Sequence, residues 1–405
     1  MIHMKHFAEL PVTIVAGGEL AGLQCKPLKP FAPQVIAFLA DWSKHLLAHP
    51  DTRTYPDVAT FAYWCRPANI ARIHRAANLQ EPRLGRGLAL HIAPANVPVN
   101  FAFSCAFGLL SGNANIVRVP ESLPAQSRLL CNVAAQLFVQ PEHATVGAMT
   151  RMVRYPRNDA ITQTLSAEAD VRLLWGGDAT IRHLRSLPAS PRCVDISFAD
   201  RYSLCLLRAE SVLAADDTAL KSLVNRFYND VFFLDQNACS SPHLVLWQGS
   251  IIEVAAAQHR FWGGVLEVLK SRPAPPAIHA IDRYTHLCRT AIRIEETFAH
   301  SSGHDLLSRV MLPDLPSNIS DLRGRHGFFF ESIDNDLSQL ARIVGRHYQT
   351  LTYFGIDVEK LIAHIVEAGL PGIDRVVPVG KALDIGVIWD GYDMIRSMSR
   401  IISNQ

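Results

Sequence analysis

The sequence predicts an α/β protein made of parallel sheets with crossover helices, organised in more than one block. Two observations carry that expectation. From Leu88 onward, short apolar runs alternate with amphipathic stretches in the order LALHIAP, FAFSCAFGLL, NIVRV, QSRLLCNVAAQLF, VRLLW, DATIRHLRSL and YSLCLL. After a polar, alanine-rich stretch at 209–218, the candidate domain boundary, the alternation starts again. A chain of 405 residues, 49% hydrophobic and 19% charged, is long enough to bury more than one core.

Residues 1–85 read as mainly helical, with apolar residues at helical spacing in VIAFLADWSKHLL and in VATFAYWCRPANIARIH. They are expected to form a covering layer. In the second block, Leu220, Leu223, Val224, Phe227 and Val231 fall on one face of a helix over TALKSLVNRFYNDVFF. The loop DQNACSSP, the strand HLVLW and a helix over EVAAAQHRFWGGVLEVL follow, and SRPAPPAI reads as a proline-rich connector. This block ends near Ile373. The tail RVVPVGKALDIGVIWDGYDMIRSMSRII reads as a strand that returns to pack elsewhere or on a partner subunit.

Lysine plus arginine (39) nearly balances aspartate plus glutamate (37), a net charge of +2, so no global field marks a nucleic-acid or acidic-membrane binder. A small-molecule substrate is expected instead. The eight cysteines are far apart with no C-x-x-C pair, which argues against a disulfide scaffold or a zinc ribbon and for reduced thiols in a cytoplasmic protein. The first twenty residues lack the charged and then apolar pattern of a secretory leader. The stretch 88–117, free of Asp, Glu, Lys and Arg, is broken by Pro94, Asn96, Pro98, Asn100, Asn113 and Asn115, so no membrane span is expected.

Four segments could carry chemistry. In HIAPANVPVN a strand runs into a Pro/Asn turn before an apolar helix. Asn96 or Asn100 could cap that helix, or Asn96 could sit where strand ends meet ligand and donate its amide to an oxyanion. In VRLLWGGDATIRHL a glycine pair lies between strand and helix with Asp178 near the helix start. It is either a tight turn or a close approach for a cofactor, without a full G-x-G-x-x-G. DQNACSSP places Cys239 in a loop of small and polar residues, either as a small packing residue or as a nucleophile suited to acyl transfer. HSSGHD, with His300, His304 and Asp305, is the nearest approach to a metal cluster, but it has a glycine inside the spacing and no H-E-x-x-H accompanies it, so no metal is expected.

In this order and at these separations, HIAPANVPVN, GNANIVRVPES, LLWGGDATI and FFLDQNACSSPHLV resemble the aldehyde dehydrogenase superfamily. Within it they resemble the long-chain acyl-CoA (acyl-protein thioester) reductases of the bacterial luminescence type. The likeness runs over roughly residues 85–400, closing with FFFESI, YQTLTYFGID and the GIDRVVPVGKALDIGVIWDG tail. It implies an aldehyde-dehydrogenase-like fold: two Rossmann-like α/β domains, the active site between them, and a small oligomerisation β element. The implied divisions are 1–85 as an N-terminal helical covering segment, 86–210 as the nucleotide-binding domain and 211–378 as the catalytic domain with nucleophile Cys239. Residues 379–405 would be a tail returning to the nucleotide domain or to an oligomer interface.

Carried over residue by residue, the resemblance makes Cys239 the acyl-accepting nucleophile, with Asn96 and the Cys239 backbone N–H as oxyanion donors. Pro94, Arg118, Ser122, Gly176 and Gly177 would contact the cofactor, Arg118 and Ser122 near the adenosine ribose. Where oxidative relatives have a glutamate base in an ELGGK-like segment, CVDISFADRYS has no glutamate and offers Asp195 in its place, which fits a thioester reductase that must exclude water from its intermediate. RVPES in place of a KPSE-like sequence puts Ser122 where a glutamate would hold both ribose hydroxyls, favouring NADPH with NADH as the alternative. The group that activates Cys239 is open among His243, Glu331 and His326. The implied substrate is an acyl-CoA or an acylated protein, with an acyl-protein synthetase as partner and a homo-oligomeric state. The rival readings are an oxidative aldehyde dehydrogenase and a non-reducing acyl carrier.

Overall fold

The computed structural model describes Phe7, residues 9–94, 97–294 and 299–403, with 299–304 described by backbone alone. The chain folds as two compact units, one formed by residues 1–199 with 386–405 and the other by 200–385.

The first unit opens with β1 (Thr13–Ala16), the helices α1 (Pro33–Ala48), α2 (Pro56–Trp64) and α3 (Pro67–Ala77), and the short strand β2 (Arg83–Gly85). The alternating core follows as β3 (Leu88–Ile92), α4 (Asn100–Leu110), β4 (Ala114–Arg118), α5 (Ala125–Phe138), α6 (Ala144–Ala148) and β5 (Thr150–Arg154). It continues through α7 (Asp159–Ala167), β6 (Val171–Trp175), α8 (Asp178–Ser186) and β7 (Val194–Phe198). The strand order is β1-β5-β4-β3-β6-β7, parallel except for β1, which runs antiparallel to β5.

The helical reading of 1–85 holds for α1 to α3 but misses β1, a strand of only four residues that extends the sheet edge. VATFAYWCRPANIARIH is two helices, not one. Pro67 cannot donate to the preceding turn, so the chain breaks at Cys65–Arg66 and Pro67 starts α3.

Every described residue of α4 is buried, and Gly108 lets the helix press onto the sheet. A Cβ there would lie 1.9 Å from the Asn115 side-chain oxygen and 2.9 Å from the His91 ring. His91 itself is a core residue. Its ring contacts Ser104 Oγ at 2.7 Å and Asn115 Oδ1 at 2.9 Å, and burial pulls its pKa down to about 4, so it stays neutral. Asn100 does not cap α4. It lies in the first helical turn after Val99, and Asn96 lies outside the described residues.

The second unit contains β8 (Tyr202–Arg208), α9 (Ala209–Ala214), α10 (Asp217–Val231), β9 (Pro242–Gln248), α11 (Ile251–Lys270) and α12 (Ile278–Arg293). After these come β10 (Ala299–His304), β11 (Leu307–Met311), β12 (Phe328–Ile333), α13 (Ser338–Ile343), β13 (Tyr348–Phe354), α14 (Val358–Glu367) and β14 (Arg375–Pro378). The order is β10-β11-β12-β9-β8-β13-β14, parallel apart from β10. Alternate strand residues feed two cores. Leu244, Leu246, Phe328 and Phe330 pack on one face, and Val245, Trp247 and Phe329 pack on the other with α10 and α11.

The boundary between units falls at 199/200, ahead of the polar stretch at 209–218, because β8 pairs with β9 and β13 rather than with the first sheet. Residues 379–385 stay with the second unit, whereas 386–405 join the first as β15 (Ile388–Trp389), β16 (Tyr392–Asp393), α15 (Met394–Ser397) and β17 (Ser399–Ile401). β17 pairs antiparallel with β2, and the fully buried Asn113 fixes this return. Its side-chain oxygen accepts from the N–H groups of Arg86 (2.7 Å) and Gly87 (3.1 Å), and its amide donates to Met398 O (2.9 Å).

Asn113→Ala strands those three backbone groups, two buried and one part-buried, and a buried group left unpaired costs about 1–3 kcal/mol. The variant is expected to lose several kcal/mol in urea unfolding. A loss below about 1 kcal/mol would mean that Asn113 does not hold the tail.

Candidate functional site

Two strand edges gather the residues singled out in the sequence. In the first sheet, β4, β3 and β6 are neighbours, so the described residues leaving their carboxyl ends, 93–94, 119–124 and 176–177, lie side by side. β4 and β5 build outward on one side of β3, and β6 and β7 on the other, so this is the point where strand order reverses and open α/β sheets bind ligand. Pro94 is half-buried there and Ser122 is exposed. The Arg118 guanidinium lies 4.7 Å from the centre of the Tyr155 ring and donates to Tyr155 O at 3.2 Å, while its buried Nε has no hydrogen-bond partner. Gly177 caps the start of α8, and a Cβ on it would meet nothing within 4 Å. Asp178 follows in the first helical turn. The structure therefore brings Pro94, Arg118, Ser122, Gly176 and Gly177 to one edge of one sheet.

In the second unit, Cys239 lies in the loop from α10 into β9, at the amino edge of that sheet, and is exposed. Gln236 builds this loop. It is 1% exposed, its amide donates to Pro242 O (2.9 Å) and Phe328 O (3.1 Å), and its side-chain oxygen accepts from Gly327 N (2.9 Å). Asp235 and Gln236 both take the left-handed conformation (φ 50° and 59°), a local cost that the three amide bonds offset. On the far side of the loop, Ser203 Oγ donates to Cys239 O at 2.7 Å and accepts from Thr350 N at 3.1 Å. Ser241 Oγ donates to Asp230 O at 2.7 Å, closing the loop on the end of α10. The main chain around the thiol is thus tied to β12, β9, β8 and β13.

The other cysteines differ. Cys65, Cys105, Cys131 and Cys205 are buried, and burial raises their thiol pKa values; Cys25 and Cys193 are half-buried and pushed up to about 11, again mainly by burial. Cys288 is exposed on α12.

The three groups considered as activators of Cys239 occupy different places. His243, the second residue of β9, is 2% exposed, its ring 5.6 Å from that of Tyr202, and burial first, then the Arg323 charge, lowers its pKa to about 3. It is a neutral core residue. Glu331 is buried in mid-strand, accepting from the indoles of Trp247 (3.0 Å) and Trp262 (2.6 Å) and pairing with Arg309 at 3.1 Å, with burial raising its pKa. That closed set of bonds makes it a packing group. His326 directly precedes Gly327, which binds Gln236; its ring stacks on His279 at 3.7 Å, and burial is the main cause lowering its pKa. Of the three, His326 lies on the segment tied to the Cys239 loop. Asp195 is committed to Arg172, which it grips through two bonds of 2.7 Å.

Sequence reasoning passed over Gln236, Ser203 and Asp230. Asp230 Oδ1 and Oδ2 accept from Ala382 N (2.9 Å) and Gly380 N (2.6 Å), and burial raises its pKa to about 6. Gln236 stood inside the quoted motif, but two of its three partners lie 91 and 92 residues away. Among the described residues, no group of three or more His, Cys, Asp and Glu could hold a metal ion. The side chains of His300 and His304 lie outside those residues. No described helix is long and apolar enough to cross a membrane.

The family described as acyl-CoA reductase (LuxC) matches residues 66–302, more than half of the chain. The chain belongs to the LuxC family. Among curated relatives, the long-chain acyl-protein thioester reductase of Aliivibrio fischeri is 28% identical over 167 residues, 40% of this chain and 32% of that protein. Long-chain acyl-protein thioester reductase 2 of Photobacterium leiognathi is 25% identical over 173 residues, 42% of this chain and 34% of that protein. The matches thus span about a third of these relatives' length. Among solved structures, methylmalonate-semialdehyde dehydrogenase (DddC) from Oceanimonas doudoroffii superposes with TM-score 0.65 at 10% identity, covering 92% of this chain and 85% of that one. An NAD-dependent benzaldehyde dehydrogenase from Corynebacterium glutamicum gives TM-score 0.61 at 13% identity, with the same coverage. At such identities the likeness shows the fold, and it is that of the aldehyde dehydrogenases.

His243 gives this LuxC-family member a pH signature. Its folded pKa lies below the unfolded value of 6.5, so between pH 6.5 and about 3 the unfolded chain binds a proton that the folded chain refuses. Its contribution to stability is present above pH 6.5 and lost on acidification, at up to about 1.4 kcal/mol per pH unit. Denaturant unfolding of His243→Phe, which keeps an aromatic ring against Tyr202, is expected to show a shallower loss of stability from pH 6.5 to 4.5 than the wild type. Equal slopes would refute the buried neutral histidine.

Proposed function

We propose that this chain reduces a fatty acyl thioester, carried on coenzyme A or on a protein, to the aldehyde through an acyl-cysteine on Cys239. NADPH is the proposed reductant, with NADH as the alternative. The observation that carries the reading is the exposed Cys239 thiol on a loop whose backbone is fixed on both sides by Gln236 and Ser203. Family membership and the names of the relatives, long-chain acyl-protein thioester reductases, support the same chemistry.

The Cys239 thiolate attacks the thioester carbonyl, and the donor thiol leaves with a proton. The acyl group stays on sulfur as a thioester, which keeps the carbonyl activated. Rigidity of the loop holds the sulfur in one place through both transfers. Asn96 is assigned the oxyanion-donor role by its motif, and it lies outside the described residues. A bound nicotinamide cofactor would supply the hydride. Release of the aldehyde then returns the thiol.

The carboxyl edge of the first sheet fits such a cofactor. Gly177 leaves open space at the α8 N-terminus, suited to a phosphate, and Arg118 keeps a buried Nε unpartnered. Arg118 and Ser122 present a cation and a hydroxyl rather than a carboxylate, which favours a 2′-phosphate. The Asp195 carboxylate is engaged by Arg172 through two bonds rather than free to act as a base, which supports reduction over hydrolysis. An acylated protein as substrate, an acyl-protein synthetase as partner and a homo-oligomeric state belong to the same proposal. Ile388 and Ile401, each about half exposed on the returning tail, are available for the last of these.

The test is incubation of wild type and Cys239→Ser with acyl-CoAs of graded chain length and NADPH, following cofactor absorbance, aldehyde and intact mass. The expected outcome is cofactor oxidation matched by aldehyde in the wild type, and a loss of at least about 10³-fold in Cys239→Ser. Acyl mass without cofactor oxidation would instead identify an acyl carrier. Undiminished turnover in the variant would remove Cys239 from the chemistry.

A further inference from the structure

The amino edge of the first sheet, at the opposite end of the strands from the proposed cofactor loops, holds a cavity of about 310 Å³ lined by Arg86, Asp170, Arg192 and Arg400. The five residues of β3 or β6 put roughly 16 Å between the two edges. Arg86 leads into β3, Asp170 immediately precedes β6, Arg192 precedes β7, and Arg400 lies on the returning β17. All four belong to the first unit, so the cavity needs no other part of the molecule.

Charge at this cavity is unbalanced. Asp170 is the one carboxylate among its lining residues, and its Oδ2 already accepts from Leu88 N at 2.8 Å. Arg86 is held by a bond from Nε to Ser397 O at 2.8 Å. Burial, then the charges of Arg83 and Arg192, lower its pKa, while Asp170 opposes the shift. Arg83 is occupied elsewhere, donating to Ser399 Oγ and to the carbonyls of Arg396 and Ser399. Arg192 and Arg400 are exposed, and their guanidinium groups make no hydrogen bond or ion pair among the described residues. Two uncommitted guanidinium groups therefore converge with a third on a space that one carboxylate does not neutralise.

Like charges gathered at a cavity repel one another, and the arrangement is favourable when an anion fills it. Guanidinium forks match phosphate oxygens in pairs. The volume is at the lower end of small-molecule pockets, about 300–1,000 Å³. We propose that this cavity is a binding site for a phosphate-bearing small molecule of at least two negative charges, separate from the acyl-transfer site. Arg192 and Arg400 are its principal ligands, and Arg86 and Asp170 form its fixed floor. The return of the tail completes it, since Arg400 arrives on β17 and Arg86 is held by Ser397 O.

The experiment is calorimetric titration of the full chain with inorganic diphosphate and, separately, with ADP, at constant ionic strength. It compares the chain with and without the double variant Arg192→Ala/Arg400→Ala, in both cases on an Arg118→Ala background that weakens phosphate binding at the proposed cofactor edge. The expected result is saturable one-to-one diphosphate binding on the Arg118→Ala background, weakened at least about tenfold when the double variant is added. ADP binding with the same dependence on Arg192 and Arg400 would identify a nucleotide as the source of the phosphates; diphosphate binding alone would identify the free anion. No saturable binding of diphosphate, or binding that the double variant leaves intact, would overturn the proposal.

Discussion

The second unit depends at its working edge on one buried amide. Gln236 spends both of its N–H donors and its oxygen on backbone groups of β9, β12 and the turn before β12, so the loop that carries Cys239 is built into the sheet margin rather than laid over it. A side chain that closes three bonds in the dry interior is costly to disturb, because each stranded partner loses its hydration and gains nothing. Two consecutive left-handed residues, Asp235 and Gln236, persist because those bonds over-determine the turn. Ser203 adds the complementary tie from β8 and β13. Exposure of the thiol and rigidity of its backbone follow from the same bonds.

Parallel sheets concentrate reactive groups at their ends because the strands themselves are consumed by packing. In the first unit the carboxyl edge collects Pro94, Arg118, Ser122, Gly176 and Gly177 at the reversal of strand order. In the second unit the amino edge collects Cys239, Ser203 and the His326–Gly327 turn. Titratable groups within the strands are neutralised or paired instead: His91 and His243 are kept neutral by burial, Glu331 is bonded to two indoles and Arg309, and Asp195 is bonded to Arg172. Burial sorts the cysteines in the same way, raising the thiol pKa of six of them and leaving Cys239 and Cys288 exposed.

Much of the fold was legible because strands covered on both faces are written as unbroken apolar runs, as LALHI, VRLLW and HLVLW are. The strands β5 and β7 were not legible, since TRMVR and VDISF carry arginine or aspartate whose neutralising partners are distant in sequence. Arg151, for example, is buried by bonds to the carbonyls of Glu19, Gly147 and Thr150. The unit boundary was displaced because pairing partners, not local polarity, decide which sheet β8 joins. The Cys239 loop was legible as a motif of small and polar residues, but the meaning of Gln236 was not, because nothing near it in the chain announces Gly327 or Phe328. The Arg86, Arg192 and Arg400 cluster was invisible for the same reason, being assembled from three segments and the returning tail.

The Gln236 amide holds the loop that carries Cys239, and the proposed acyl transfer depends on that hold. The most direct measurement is the rate of acyl transfer from acyl-CoA to Cys239, read by intact mass without reduced cofactor, in Gln236→Leu against wild type. Far-UV and near-UV circular dichroism would establish that both chains are folded. The expected result is a folded variant that acylates at least about tenfold more slowly, since loss of positioning subtracts directly from the effective concentration of the thiol. A folded Gln236→Leu that acylates at the wild-type rate would contradict it.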